Sequence, residues 1–497
     1  MSRKVNLEYF RGKGLLPFQA EVALSFVESE DEKYWEIVMS VGMGKTHLGA
    51  CLVAYELEED LDKRILVLAP AAFLEQWNHE ILEFLQMNKC TLCPLIVDRK
   101  TYLELESNVP VGENPWPVPS VILMSVDLAK REDMVSKLEK VTWDLIIFDE
   151  SHLLSKGKRR ALLERLRKTN VSHRGLLLSA IPQQFENVIT KVVNREVVDW
   201  EGRLVFPQFE KNVALVYYYR TEEERRFFRE LQDFAARLPN NFPYGKLQER
   251  NILRAGSSSL YALEGILRKL IVRWRHLRNK IAHNVPWTSE DLASMQEDIF
   301  TGSEELEAVE ELSEIMIVRA EEFLELYVTL ERILDQIDEL PVDSKLETVL
   351  SYINKFFTGK TKSHLCIWCS FARTAEYLTS SLQDVGLQVW SITGALKAAE
   401  RMCNLKCFRA KGGVLIATEA ASEGVALEYV DECINYDLPA NQQIFGQRWG
   451  RFLRFGRNRD FRMVALKDGS KALSWEEKLF ETLKIEASSE RDIVKLT

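Results

Sequence analysis

The chain has 497 residues, 46% hydrophobic and 28% charged, with 65 Lys+Arg against 75 Asp+Glu for a net charge of −10. That length exceeds one ordinary core and predicts two or three domains, while the composition excludes wholesale disorder and collagen-like chains. No apolar run reaches the roughly 18 residues of a membrane span, the start lacks an apolar signal core, and eight cysteines are too few for a disulfide framework, so a soluble protein of a reducing, cytoplasmic compartment is expected.

From residue 34 to about 200, short apolar runs alternate with amphipathic stretches. The runs are YWEIVMSV, ILVLAP, VILMSV, DLIIFDE and GLLLSA, which is the pattern of a parallel sheet covered by helices. The middle, from about Arg220 to Leu340, changes to helix-period segments such as TEEERRFFRELQDFAARL. Between Glu290 and Leu340 it carries 17 acidic residues against two basic ones, and just before that a basic run from Arg268 to Lys280; both are expected to be solvated helix faces. The strand rhythm returns in HLCIWCSF, LQVWSITG, GVLIAT, ECINYD and FRMVALKD. The predicted fold is therefore α/β, two parallel-sheet lobes (1–212 and 341–497) with a mostly α-helical insertion (213–340) between them. Cys90/Cys93 and Cys366/Cys369 have metal-ligand spacing, but the second pair sits in a strand, where residues three apart point to opposite faces. Structural roles are expected for both.

Chemistry concentrates at three places. Ser40-Val-Gly42-Met43-Gly44-Lys45-Thr46 follows a strand and opens a helix. Glycines let such a loop turn its N–H groups onto phosphate oxygens, the lysine reaches the β/γ-phosphates, and the threonine hydroxyl ligates Mg2+. The strict phosphate-loop pattern has Gly where this chain has Met39. WDLIIFDESH then ends a strand in Asp149-Glu150, at the sheet edge where ligands bind. Asp149 is placed to hold Mg2+ and Glu150 to polarise an attacking water. Late in the chain, Arg451 and Arg454 lie three apart near a helix start, and guanidinium groups suit a transferring phosphoryl group.

In order and spacing, the chain resembles the superfamily 2 helicase-like ATPases, specifically the Snf-type translocases and their bacterial branch, which includes the ATPase that recycles RNA polymerase. Leu-Leu-Pro17-Phe18-Gln19 resembles the adenine-reading segment, SVGMGKT motif I, and VLAPAAFLEQW motif Ia, with Pro70, Gln76 and Trp77 matching. Asp149-Glu150-Ser151-His152 resembles the Asp-Glu-x-His box. Ser179-Ala180-Ile181 stands where Ser-Ala-Thr is usual in motif III. Asp343-Ser344-Lys345-Leu346 resembles the start of lobe two, CIWCSF motif IV, and Ile416 to Gly424 motif V. Gln447, Gly450, Arg451 and Arg454 match motif VI.

The resemblance implies two RecA-like lobes that bind and hydrolyse ATP with Mg2+ between them and move along nucleic acid, most often duplex DNA, in a bacterial-type cytoplasm. It assigns catalytic roles to Lys45, Asp149, Glu150, Arg451 and Arg454, metal contacts to Thr46 and Asp149, and nucleotide contacts to Gln19, Gly42, Met43, Gly44, Lys45, Thr46, His47, Gly424 and Gln447. The acidic overall balance leaves room for a local basic groove, to which Lys156, Lys158, Arg159 and Arg160 are candidates. A strand-separating helicase and a nucleotide-binding scaffold are the alternatives. In the insertion, Arg278-Asn-Lys-Ile-Ala-His283 resembles the R-x4-H motif of HEPN-type ribonucleases, which implies a motor–nuclease fusion, although residues five apart on a helix diverge by about 140°. No flanking targeting module is expected, so a protein partner would supply targeting; no membrane association is expected.

Overall fold

The structure, a computed structural model, describes residues 6–29, 34–40, 42–110, 116, 120–154, 157–168, 172–183, 185–194, 196–206, 212–241, 245–283, 320–359, 362–419, 425–453, 457, 460–489 and 492–495. It divides into two compact units. The first comprises Met1–Gln208, Glu423–Glu428 and Gln447–Asn458, and the second Phe209–Ser422, Tyr429–Gly446 and Arg459–Thr497.

The first unit holds a parallel sheet of seven strands: β1 (Tyr34–Met39), β2 (Arg64–Ala69), β3 (Leu95–Val97), β4 (Ser120–Ser125), β5 (Trp143–Asp149), β6 (Ser172–Ser179) and β7 (Ile189–Val193), in the order β3-β4-β2-β5-β6-β1-β7. Its central strands are buried on both faces, which is why they read as continuous Ile/Leu/Val runs. The period of two divides them: Ile65, Val67, Leu145, Ile147, Leu176 and Leu178 join one core, and Leu66, Leu68, Ile146, Phe148 and Leu177 the other. Helix Lys45–Glu59 and helix Leu74–Met87 pack closely on the first of these cores. Gly49 permits the approach, because a Cβ there would come 2.5 Å from Trp77 Cη2.

The second unit repeats the plan. β8 (Asn212–Tyr218), β9 (His364–Cys369), β10 (Val389–Ile392), β11 (Gly413–Thr418), β12 (Glu432–Asn435), β13 (Arg462–Asp468) and β14 (Ile493–Lys495) form a parallel sheet in the order β10-β11-β9-β12-β13-β8-β14. Both units are thus RecA-like α/β lobes. The expected insertion, 213–340, takes a different form at its start: Asn212–Tyr218 is not helical but pairs with β13 along its whole length. Its partners lie at the far end of the chain, so local pattern alone gave no reason to join them.

The helices that follow, Glu222–Asn241, Gly245–Ser258, Leu260–Ala282 and Ala320–Glu339, belong to this second unit. Phe227, Leu231, Phe234, Leu263, Leu267, Trp274, Phe323, Leu326 and Leu330 share one core with Leu473 from the segment after β13. A buried lysine ties helix Ser344–Phe357 to the bundle. Lys345 Nζ donates to the carbonyls of Ser257 (2.5 Å) and Ser258 (3.3 Å), closing the C-terminal end of helix Gly245–Ser258 where such groups lack partners. Beside it the Asp437 carboxylate accepts from Ser258 Oγ (2.6 Å), Ser370 N (3.0 Å) and Ser370 Oγ (2.6 Å). Cys366 and Cys369 are both buried within β9, in keeping with packing roles. Among the described residues, no helix is long and apolar enough to cross a membrane.

Candidate nucleotide site

The C-terminal ends of β1, β6 and β5 lie side by side, in register: Val38 pairs with Ser179, and Leu178 with Asp149. Each end carries a sequence-predicted element, the phosphate loop after β1, the Ser-Ala-Ile turn after β6, and the acidic pair after β5.

The loop after β1 is shaped by glycine. Gly42 (φ +87°) and Gly44 (φ +78°) adopt left-handed backbone, which other residues enter only with strain. A Cβ on Gly44 would also clash with Gln19 Nε2. Gln19 is buried and used at both ends: Nε2 donates to Met43 O (3.0 Å) and Gly44 O (3.4 Å), while Oε1 accepts from Leu16 N (3.0 Å). The adenine-reading candidate therefore braces the loop backbone. Lys45 is buried, and its Nζ donates to Met39 O at 3.0 Å. Thr46 follows it, half-buried, in the first turn of the helix. His47 is directed to the neighbouring helix, with Nδ1 3.2 Å from Glu80 Oε2 and its ring 4.8 Å from that of Phe84.

Asp149 and Glu150 are adjacent in sequence and opposite in electrostatics. Asp149 is buried; burial, then the neighbouring Glu150 charge, pushes its pKa up to about 6. Trp77 Nε1 donates to Asp149 Oδ2 at 2.8 Å, and Glu150 N to Oδ1 at 2.9 Å, which oppose the rise. Glu150 shifts the other way. Burial would raise it, but His152, the Lys45 ammonium and the Arg451 guanidinium together hold its carboxyl below the usual range. His152 Nδ1 lies 3.2 Å from Glu150 Oε2. Glu150 itself has φ +50°, a strained backbone for a side chain with a Cβ, and Oε2 is buried without a hydrogen bond. Two carboxylates driven apart in this way, beside a buried lysine, allow one to hold a hard cation and the other to accept a proton.

Of the remaining candidates, Arg451 is buried, its carbonyl accepts from Leu427 N (2.9 Å), and Gln447 is half-buried one turn earlier. Arg454 and Gly424 lie outside the described residues, as does Lys156. The basic candidates after the acidic box are engaged locally: Arg159 pairs with Asp127 (2.9 Å), and Arg160 pairs with Glu164 (2.7 Å) and covers the Phe185 ring. In the second unit, Arg278 stacks on Tyr327 at 4.8 Å, and His283 caps its helix, with Nδ1 2.7 Å from Asn279 O. Arg278 thus packs within the bundle, while His283 is exposed at the helix end. Sequence reasoning matched Trp77 to a motif without finding its bond to Asp149, which joins residues 72 apart.

Comparison with known proteins agrees with this geometry. Residues 13–184 match the family described as type III restriction enzyme, res subunit, and residues 344–456 the helicase conserved C-terminal domain. The uncharacterized ATP-dependent helicase YqhH of Bacillus subtilis is 26% identical over 453 residues, 90% of this chain and 74% of that one. The RNA polymerase-associated protein RapA of Proteus mirabilis is 23% identical over 464 residues, 84% of this chain but only 44% of RapA. The ATP-dependent RNA helicase DBP8 of Kluyveromyces lactis is 32% identical over 136 residues, a quarter of this chain. These matches, one in each lobe and two along most of the chain, support an ATP-hydrolysing nucleic-acid motor of the superfamily 2 helicase type, similar to the RapA-like branch.

Proposed function

We propose that this motor is a Snf-type translocase that moves along duplex DNA without needing to separate its strands. The observation that carries the catalytic part is the opposed pair Asp149 and Glu150 beside buried Lys45. Hard oxygen donors at Asp149 and Thr46, beside the buried Lys45 ammonium, fit a magnesium nucleotide. In this reading Asp149 and Thr46 hold Mg2+, which neutralises phosphate charge when bound. Lys45 leaves the Met39 carbonyl to contact the transferring phosphoryl group. Glu150, kept ionised by its cationic neighbours, orients water and accepts its proton. Arg451 and Arg454 stabilise charge at the same group. Gly42, Met43, Gly44, Gly424 and Gln447 complete the nucleotide contacts, while Gln19 braces the loop and His47 packs on the neighbouring helix.

The duplex preference follows from the resemblance of the motifs to those of Snf-type translocases, and similarity to the RNA polymerase-associated protein RapA favours a protein partner for targeting. Steady-state ATPase rates, alone and with duplex DNA, single-stranded DNA or RNA, test the reading. Lys45→Ala and Glu150→Gln should each lower the rate at least about a hundredfold. Stimulation chiefly by duplex DNA, with displacement of a bound third strand but no unwinding of a tailed duplex, is the expected result. Unwinding of the tailed duplex would instead make the chain a strand-separating helicase.

A further inference from the structure

The second unit carries a cavity of about 640 Å³ that shares no residue with the nucleotide site described above, and its volume lies in the range of small-molecule sites. Helices Gly245–Ser258 and Leu260–Ala282 and the start of helix Ala372–Asp384 line it. Ile252, Ile266, Val272 and Phe371 supply apolar surface. Gly265 lets Arg373 lie directly on the long helix, because a Cβ there would come 2.4 Å from Nη1.

Two features of the lining are out of balance. The first is charge. Arg268, Lys269, Arg273 and Arg373 line the cavity, and among the described residues no carboxylate does, in a chain whose net charge is −10. Arg268 is tied to Glu264 (2.5 Å), outside the lining, and Arg373 lies over the Tyr261 ring (4.9 Å), so both are held in place. The second is a hydrogen bond left unmade. Gln248 is only 5% exposed, and its Oε1 is buried with no hydrogen-bond partner, an arrangement that destabilises the fold until a donor reaches it. A ligand that answers both features carries several negative charges, a hydrogen-bond donor and a flat or apolar body. A fatty acid has no donor for the amide, and an acidic helix spends its N–H groups on its own carbonyls. A purine nucleotide has all three. Glutamine amides pair with purine edges, and guanidinium groups with phosphate oxygens.

We propose that this cavity is a second nucleotide site, which takes a free purine nucleoside polyphosphate with its base at Gln248 and its phosphates at Arg268, Lys269, Arg273 and Arg373. The proposal stands apart from the motor reading, and its test does not depend on ATP turnover. Radiolabelled GTP and ATP are dialysed to equilibrium against the full chain carrying Lys45→Ala, which weakens the phosphate-loop site, and thermal melts are recorded alongside. One saturable equivalent is expected. Adding Gln248→Leu should weaken it at least about tenfold, and so should adding Arg268→Ala with Arg273→Ala. Without nucleotide, Gln248→Leu should melt no lower than its parent, because an apolar group replaces an unsatisfied amide, so lost binding is not lost fold. GTP should raise the melting temperature of the parent and not that of Gln248→Leu. No saturable binding in Lys45→Ala, or binding that Gln248→Leu leaves undiminished, would overturn the proposal. Displacement of bound GTP by an equimolar single-stranded oligonucleotide would overturn it as well, by making the cavity a contact for a nucleic-acid strand.

Discussion

Replacing Trp77 by Phe removes one donor from Asp149 while leaving most of an aromatic ring in a fully buried position. The bond lost is the 2.8 Å contact from Nε1 to Oδ2. A hydrogen bond to a charged group contributes about 1.5–3 kcal/mol, and each pKa unit corresponds to about 1.36 kcal/mol. Because this bond favours the ionised carboxylate, its loss raises the pKa further, by about one to two units from a starting value of about 6. A carboxylate that must be ionised to hold a cation gives an acid limb in the pH dependence of kcat/KM. That limb belongs to the Asp149–Glu150 pair as a whole, and it should move to higher pH by the same one to two units in Trp77→Phe. At pH 7 the variant should be about two- to tenfold slower, and it should approach the wild-type rate near pH 9. An unmoved limb, with kcat/KM lowered equally at every pH, would refute the argument and reduce Trp77 to a packing residue.

Two more outcomes follow from the geometry. Gly44→Ala puts a Cβ into left-handed backbone at φ +78° and against Gln19, so nucleotide affinity should fall about tenfold in a fluorescent-ATP titration, and an unchanged Kd would exclude Gly44 from shaping the site. Lys345→Met leaves the Ser257 and Ser258 carbonyls without their buried donor, which should lower the urea midpoint by the equivalent of about 1–3 kcal/mol. Burial depresses the Lys345 pKa in the fold, so the unfolded chain binds the extra proton between that depressed value and 10.5. Wild-type stability should therefore rise with pH across that window, and the slope should shrink in Lys345→Met.

Most of the two sheets was legible because their central strands are buried on both faces and leave apolar runs: β1, β2, β4, β5, β6, β9, β11, β12 and β13 each fall on one, as does the edge strand β10. The strands that escaped were β3, β7 and β14 at sheet edges and β8 beside one. β7 is half-exposed to exposed throughout, and β3 is three residues long, so neither leaves such a run. The site divides the same way. Loop and acidic pair carry local signatures, because their backbone conformation and strand-end position are set by nearby residues. The Trp77–Asp149 bond and the bracing of the loop by Gln19 join residues far apart in sequence, and each depends on how helices and strands meet. The partner of Arg159, Asp127, lies 32 residues away and left no sign in the sequence, whereas the Arg160–Glu164 pair has helical i,i+4 spacing.

The position of β8 bears on how the chain is made. It pairs with β13 and β14, and the nearer of these begins at Arg462, roughly 240 residues after β8 ends. At about 5–20 residues per second of synthesis, β8 waits on the order of tens of seconds for its first neighbour in the sheet. During that interval it presents unpaired backbone and the side chains of Ala214, Leu215 and Val216, a segment of the kind that pairs with the wrong chain. The helices that follow emerge within the wait and can associate through local contacts first. Completion of the second lobe is thus a late, non-local event, and its yield should depend on the rate of elongation and on chaperone supply more than on the stability of the finished protein.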